Sequence, residues 1–121
     1  MASILVCDDE KDIVTALRIY LQAEGYEVFE ALNGEEALNV MRRQEIHLVL
    51  MDIMMPELDG YETMRHIRAN PEFKSIPIIA LTAKAMKGDR EKCLEAGATD
   101  YISKPINLEQ LFSVMRVWLT K

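Results

Sequence analysis

The stretch His47 to Gly60, HLVLMDIMMPELDG, decides the reading of this chain. Four apolar residues, Leu48 to Met51, lead straight into Asp52, and a second apolar pair follows it. A run that is apolar at every position, not at alternate ones, is the pattern of a strand buried on both faces, as in a parallel sheet covered by helices. A carboxylate at the end of such a strand is costly unless another group pairs with it. The rest of the chain must supply both the sheet and that partner.

Runs of the same kind recur. SILVC (3–7), YEVFEA (26–31), HLVLM (47–51), PIIALT (77–82) and YIS (101–103) all have strand length. Segments of helical period separate them. Ile13, Ala16, Leu17, Tyr20 and Leu21 recur at three- and four-residue spacing, and Gly25 ends that helix with a residue free to adopt positive φ. Asn33 can cap a second helix carrying Ala37, Leu38 and Met41. YETMRHIRAN gives a third that stops at Asn70-Pro71, and KGDREKCLEAG a fourth closed by Gly97. The fifth opens at Asn107 with Gln110 three residues on, and turns Leu108, Leu111, Phe112, Met115 and Trp118 or Leu119 inward. Alternation of five strands with five helices implies right-handed βαβ crossovers and an α/β fold with one parallel sheet.

The bulk numbers agree. At 121 residues, half of them apolar and 28% charged, the chain has the size and composition of one globular domain, 1–121. A net charge of −6 and a pI near 4.9 argue against the basic patch that direct nucleic-acid binding requires. The longest apolar run is far short of a membrane span, and residues 1–7 lack the features of a signal peptide. The cytoplasm is the expected compartment. Cys7 and Cys93 have no metal-ligand or CxxC spacing and read as two reduced thiols.

In a doubly wound sheet, ligands bind at the carboxyl ends of the strands. Those ends carry Asp8 and Asp9, Asp52, Thr82 and Lys104, while the second strand ends blandly at Ala31-Leu32. Taken singly, each has an ordinary explanation: a helix cap for Asp8 or Asp9, a turn former for Asp52, a strand residue for Thr82, a solvated amine for Lys104. Together they do not. Two like charges about 5 Å apart repel by roughly 3 kcal/mol at an effective dielectric near 20, so three clustered carboxylates need a cation or must shed charge. Lys104 supplies one positive charge. The candidate ligands are all oxygen donors, which selects a hard divalent ion, Mg²⁺ first and Mn²⁺ next. Such a site suits a phosphoryl group, with Asp52 as carboxylate nucleophile, Lys104 neutralising charge and the Thr82 hydroxyl donating a hydrogen bond. His47 and His66 lie away from this set, and Met51, Met54 and Met55 read as packing residues.

Asp8-Asp9, MDIMMPELDG, LTA with Thr82 and YISKP with Lys104 resemble the receiver domain of bacterial two-component response regulators, over the whole chain. The segment LTAKAMKGDREKCLEAGATDYISKPI is similar to receivers of hybrid histidine kinases and single-domain regulators. The resemblance implies the flavodoxin-like strand order 2-1-3-4-5. It implies that Asp52 accepts a phosphoryl group from a phosphohistidine on a histidine kinase or histidine phosphotransfer protein. Asp9, Asp52 and the Met54 carbonyl would bind Mg²⁺, with Asp8 acting through water. The amides of Met54 and Ala83, with Thr82 and Lys104, would cradle phosphate, and Thr82 and Tyr101 would form the switch. Output would pass through the face of the fourth helix, fifth strand and fifth helix, including Lys87, Arg90, Glu91, Glu95, Ser103 and Gln110, to an output domain or downstream protein. The partner carrying phosphohistidine would dock on the first helix and the loops around Asp52. Met54 and Lys84 would tune phosphoryl lifetime, which is expected to be longer than in fast chemotaxis-type receivers. The family often has a cis peptide at the position of Lys104-Pro105.

Three alternatives compete. A haloacid-dehalogenase-type phosphatase has a second Asp two residues after its nucleophile, where this chain has Met54. A flavodoxin needs a phosphate loop after the first strand, where CDDEKD would repel phosphate. A phosphorylation-independent pseudo-receiver tends to lose an acid, the threonine or the lysine, and this chain keeps all of them.

Overall fold

The three most continuous apolar runs, SILVC, LVLM with Asp52, and IIALT, form strands buried from both sides. In the computed structural model, which describes residues 2–55, 58–82 and 89–120, the strands are β1 (Ser3–Cys7), β2 (Glu27–Ala31), β3 (Leu48–Asp52), β4 (Ile78–Thr82) and β5 (Asp100–Ser103). They make one parallel sheet in the order β2-β1-β3-β4-β5. The helices are α1 (Lys11–Ala23), α2 (Gly34–Arg43), α3 (Gly60–Ala69), α4 (Asp89–Ala96) and α5 (Leu108–Leu119), with a short 3-10 turn at Pro71–Phe73. The expected α/β architecture and strand order are therefore those observed.

Side chains alternate across the sheet. Leu5, Cys7, Val49, Met51, Ile78 and Ala80 pack against Ala37 and Met41 of α2, Met64 and Ile67 of α3, and Cys93 and Ala96 of α4. Ile4, Val6, Leu48, Leu50, Ile79, Leu81 and Ile102 pack against Val14, Leu17 and Leu21 of α1 and Leu111 and Met115 of α5. In α1 the buried stripe includes Val14, while Ala16 and Tyr20 face outward, so the helix is turned from the face expected from its spacing. Among the described residues, no helix is long and apolar enough to cross a membrane.

Local signals act where the sequence placed them. The Asn33 side chain accepts from Glu36 N–H at 2.9 Å and starts α2, and Asn107 does the same for Gln110 at 3.0 Å in α5. Gly25 and Gly97 end α1 and α4 with φ of 93° and 117°. Arg68, half-buried at the end of α3, ties three segments together. Its guanidinium donates to the carbonyls of Gly97 (2.9 Å), Phe73 (2.9 Å) and Lys74 (3.2 Å) and to Thr99 Oγ1 (3.2 Å).

Candidate functional site

Register brings the polar strand ends together. Cys7 lies beside Met51, and Asp52 beside Leu81, so Asp8 leaves β1 one residue past its last pair and next to Asp52. Asp8, Asp52 and Lys104 continue the alternation that points Val6, Leu50 and Ile102 toward α1 and α5. By the same alternation Thr82 follows Ala80 to the other side, where Tyr101 packs against the core under α2, α3 and α4.

At the centre stands Lys104. Its Nζ donates to Asp8 Oδ2 at 3.0 Å and to Asp52 Oδ1 at 3.2 Å. Both carboxylates are buried, Asp8 fully and Asp52 to 2% exposure. Asp8 Oδ1 also accepts from Glu10 N–H at 2.9 Å, and Asp52 Oδ1 from Met54 N–H at 3.4 Å. The resemblance to receiver domains implies that Lys104 pairs with Asp52. The geometry shares the ammonium between two acids, with Asp8 the nearer. No buried side-chain nitrogen or oxygen among the described residues lacks a hydrogen-bond partner.

Burial pushes the Asp52 carboxyl up from its ordinary 3.8 to about 6, and the Asp8 charge adds to the rise, against the opposing effects of Lys104 and the Met54 amide. Burial works against the Lys104 ammonium, but the hydrogen bonds and charges of Asp8 and Asp52 outweigh it and hold its pKa above the usual lysine value. The Cys7 thiol, next in sequence to Asp8, is pushed far above the usual range by burial and then by the nearby carboxylates.

Carboxylate oxygens of Asp8, Asp9 and Glu10 lie within 4.8 Å of one another. Glu10 was not among the ligands expected from the sequence, although the run of three acids after β1 was a visible signal. An all-oxygen donor set of this kind fits a hard divalent cation. Thr82 is buried at the end of β4 and Tyr101 half-buried in β5. Ala83, Lys84 and Lys87 lie outside the described residues. Arg90, Glu91, Glu95 and Gln110 are exposed and Ser103 half-buried. The Lys104-Pro105 peptide is cis.

The backbone at the end of β3 is closely packed by α3. Gly60, the first residue of α3, donates its N–H to Ile53 O at 3.0 Å. A Cβ at Gly60 would lie 2.7 Å from Ile53 Cα and 3.0 Å from the Asp52 carbonyl carbon. Beside the site, a groove of about 400 Å³ runs between α1 and the segment after β5, lined by Ile13, Ala16, Tyr20, Pro105, Ile106 and Leu108 among others.

A family model described as the response regulator receiver domain matches residues 4–116. The chain is 37% identical over 117 residues to the polar-differentiation response regulator DivK of Brucella anthropi, covering 97% of this chain and 95% of that one. Its structure is similar to that of the chemotaxis protein CheY4 of Vibrio cholerae, with a TM-score of 0.94 and 31% identity over 98% of this chain and 99% of that one. It is also similar to the receiver domain of the sensor histidine kinase PA1611 of Pseudomonas aeruginosa, with a TM-score of 0.91 and 38% identity over 99% and 98% of the two chains. That structure carries a magnesium ion coordinated in its active-site cleft.

Proposed function

The chain belongs to the response regulator receiver domain family, and from that premise we propose that it is a phosphorylation-dependent switch whose acceptor is Asp52. The observation that carries the proposal is the Lys104 ammonium held between Asp8 and Asp52 at the carboxyl edge of the sheet. A buried carboxylate with its own counterion is poised to become an acyl phosphate: phosphorylation places dianionic oxygens where Lys104 can follow them.

In the proposed reaction an Asp52 oxygen attacks phosphorus in the phosphohistidine of a histidine kinase or phosphotransfer protein. The phosphorus–nitrogen bond breaks and the imidazole leaves. Lys104 moves its charge from the carboxylates to the phosphoryl oxygens, while the Thr82 hydroxyl and the amides of Met54 and Ala83 donate to them. Asp9, Asp52 and the Met54 carbonyl would hold Mg²⁺, with Asp8 acting through water. Mn²⁺, another hard oxygen-seeking ion, is an alternative occupant. The acidic cluster fits such an ion, and the PA1611 receiver domain holds magnesium in its active-site cleft. Bound there, the ion would neutralise charge developing on the transferring phosphoryl group. Self-phosphorylation from small phosphodonors and slow self-dephosphorylation follow from the same residues.

Signalling would run through Thr82, the last residue of β4, and Tyr101, which lies beside Ala80 on the adjacent strand, to the face of α4, β5 and α5, and from there to an output domain or downstream protein. The apolar groove between α1 and Pro105 to Leu108 suits docking of the phosphohistidine partner, because it opens beside Lys104. Cys7 and Cys93, both buried and joined in no disulfide among the described residues, suit action in the cytoplasm.

Incubation with Mg²⁺ and acetyl phosphate, followed by intact mass, tests the reading. We expect one phosphoryl adduct on the wild type and none on Asp52→Asn. An adduct that survives the substitution, or none from either acetyl phosphate or a phosphorylated kinase when Mg²⁺ binds, would overturn it.

A further inference from the structure

The described methionines divide sharply by exposure. Met41, Met51, Met55, Met64 and Met115 are buried, at 7% exposure or less, whereas Met54 is 70% exposed. Peroxide reaches thioethers in proportion to their exposure. Thiols usually compete for it as thiolates, but Cys7 and Cys93 are both fully buried. Met55, the neighbour of Met54, is turned inward, where its sulfur accepts from Cys7 Sγ at 3.6 Å. Among the described residues the surface thus offers an oxidant one sulfur in this region, and it belongs to the residue whose amide touches Asp52 Oδ1 at 3.4 Å.

We propose that Met54 is an oxidation site whose sulfoxide shortens the life of the phosphoryl group on Asp52, so that the switch responds to peroxide as well as to its kinase. The inference rests on Asp52 being the acceptor. In the first step a sulfur lone pair attacks one peroxide oxygen and the O–O bond breaks. The sulfur is oxidised by two electrons to the sulfoxide, and the departing hydroxide takes up a proton and leaves as water. The thioether is a weak hydrogen-bond acceptor, and the sulfoxide oxygen a strong one. In the second step that oxygen accepts a hydrogen bond from a water molecule and holds it toward phosphorus. The water oxygen attacks, the bond from phosphorus to the Asp52 oxygen breaks, and Asp52 is regenerated as a carboxylate. Inorganic phosphate leaves with the water's oxygen, and the surplus proton passes to solvent.

The test uses the full chain. It is treated with dilute hydrogen peroxide, freed of oxidant, and mapped by peptide mass spectrometry, which also separates Met54 from Met1 and Met86, both outside the described residues. It is then phosphorylated with acetyl phosphate and Mg²⁺, and loss of the adduct is followed by intact mass. We expect fragment ions to place the first oxygen on Met54, ahead of Met51, Met55 and Met64, which share its tryptic peptide, and ahead of Met41 and Met115. The adduct half-life should fall by about two- to tenfold, the effect of one added hydrogen bond in the transition state, and return after treatment with methionine sulfoxide reductases of both stereospecificities. Met54→Gln, a polar stand-in for the sulfoxide, should shorten the half-life without peroxide. Met54→Leu, compared with its own untreated sample, should not respond. Oxidation of Met54 no faster than of the buried methionines would overturn the inference, as would an unchanged or longer half-life, or a peroxide response that persists in Met54→Leu. If the untreated chain forms no adduct, the reading of Asp52 as acceptor falls and this inference with it. If the adduct forms and its half-life ignores oxidation, only this inference falls.

Discussion

Replacing Asp52 with asparagine should stabilise the protein at neutral pH, which is the reverse of what loss of a buried ion pair ordinarily does. The native carboxyl is raised from 3.8 to about 6 because it is buried and faces Asp8. The folded protein therefore holds this proton more tightly than the unfolded chain does. The group favours folding most below about pH 4, and that contribution is lost as pH rises through 6. At 1.36 kcal/mol per pH unit, the interval corresponds to about 3 kcal/mol lost on ionisation. Asparagine is nearly isosteric and never ionises, so it escapes this loss but gives up the charge-assisted bond from Lys104. We expect Asp52→Asn to gain about 1 to 3 kcal/mol at pH 7.5 and close to nothing at pH 4. Urea unfolding of both proteins at the two pH values, in EDTA, measures the difference directly. Adding Mg²⁺ at ten times its Kd should then stabilise the wild type by about 1.4 kcal/mol and the variant by less. A variant less stable than wild type at pH 7.5, or a difference equal at both pH values, would refute the reasoning.

Two further substitutions probe the same edge of the sheet. Lys104→Met leaves Asp8 and Asp52 buried without their shared cation and should cost about 3 kcal/mol at pH 7.5. The loss should shrink toward pH 4 as Asp52 takes up a proton, and a loss independent of pH in urea titrations would count against this account. Gly60→Ala forces a methyl group to 2.7 Å from Ile53 Cα, and since backbone cannot rotate away, the substitution should cost about 1 to 3 kcal/mol or more. An unchanged urea midpoint for this variant would mean that α3 is free to move away from the end of β3.

The parts of this protein legible in its sequence are those whose position follows from period. Strands buried on both faces must be apolar throughout, and that continuity marked β1, β3 and β4 and so placed Asp8, Asp52 and Thr82 at the same edge. Caps at Asn33 and Asn107 were legible because a side chain bonding three residues ahead is a local event. In α1 the period was insufficient, because Ile13, Ala16 and Tyr20 make a second apolar stripe beside the buried Val14, Leu17 and Leu21. Which stripe faces the sheet depends on what lies opposite, and the outward one meets Pro105, Ile106 and Leu108 from the far end of the chain.

The same distinction explains the site. That Lys104 must answer a surplus of carboxylates was visible from charge alone, but its division between Asp8 and Asp52 depends on how β1 and β3 are registered and on where β5 ends. Arg68 left no signal at all, since its acceptors are three carbonyls and one hydroxyl that become neighbours only when α3, the turn after it and the start of β5 are assembled. Gly60 reads as a turn former beside Asp59, and only the packed structure reveals that its missing side chain lets α3 rest on the backbone that carries Asp52. Local rules agree with the fold nearly everywhere along this chain. The place where they conflict, acids gathered at the end of buried strands, is where a functional site is expected, because a fold retains such a cost where chemistry uses it.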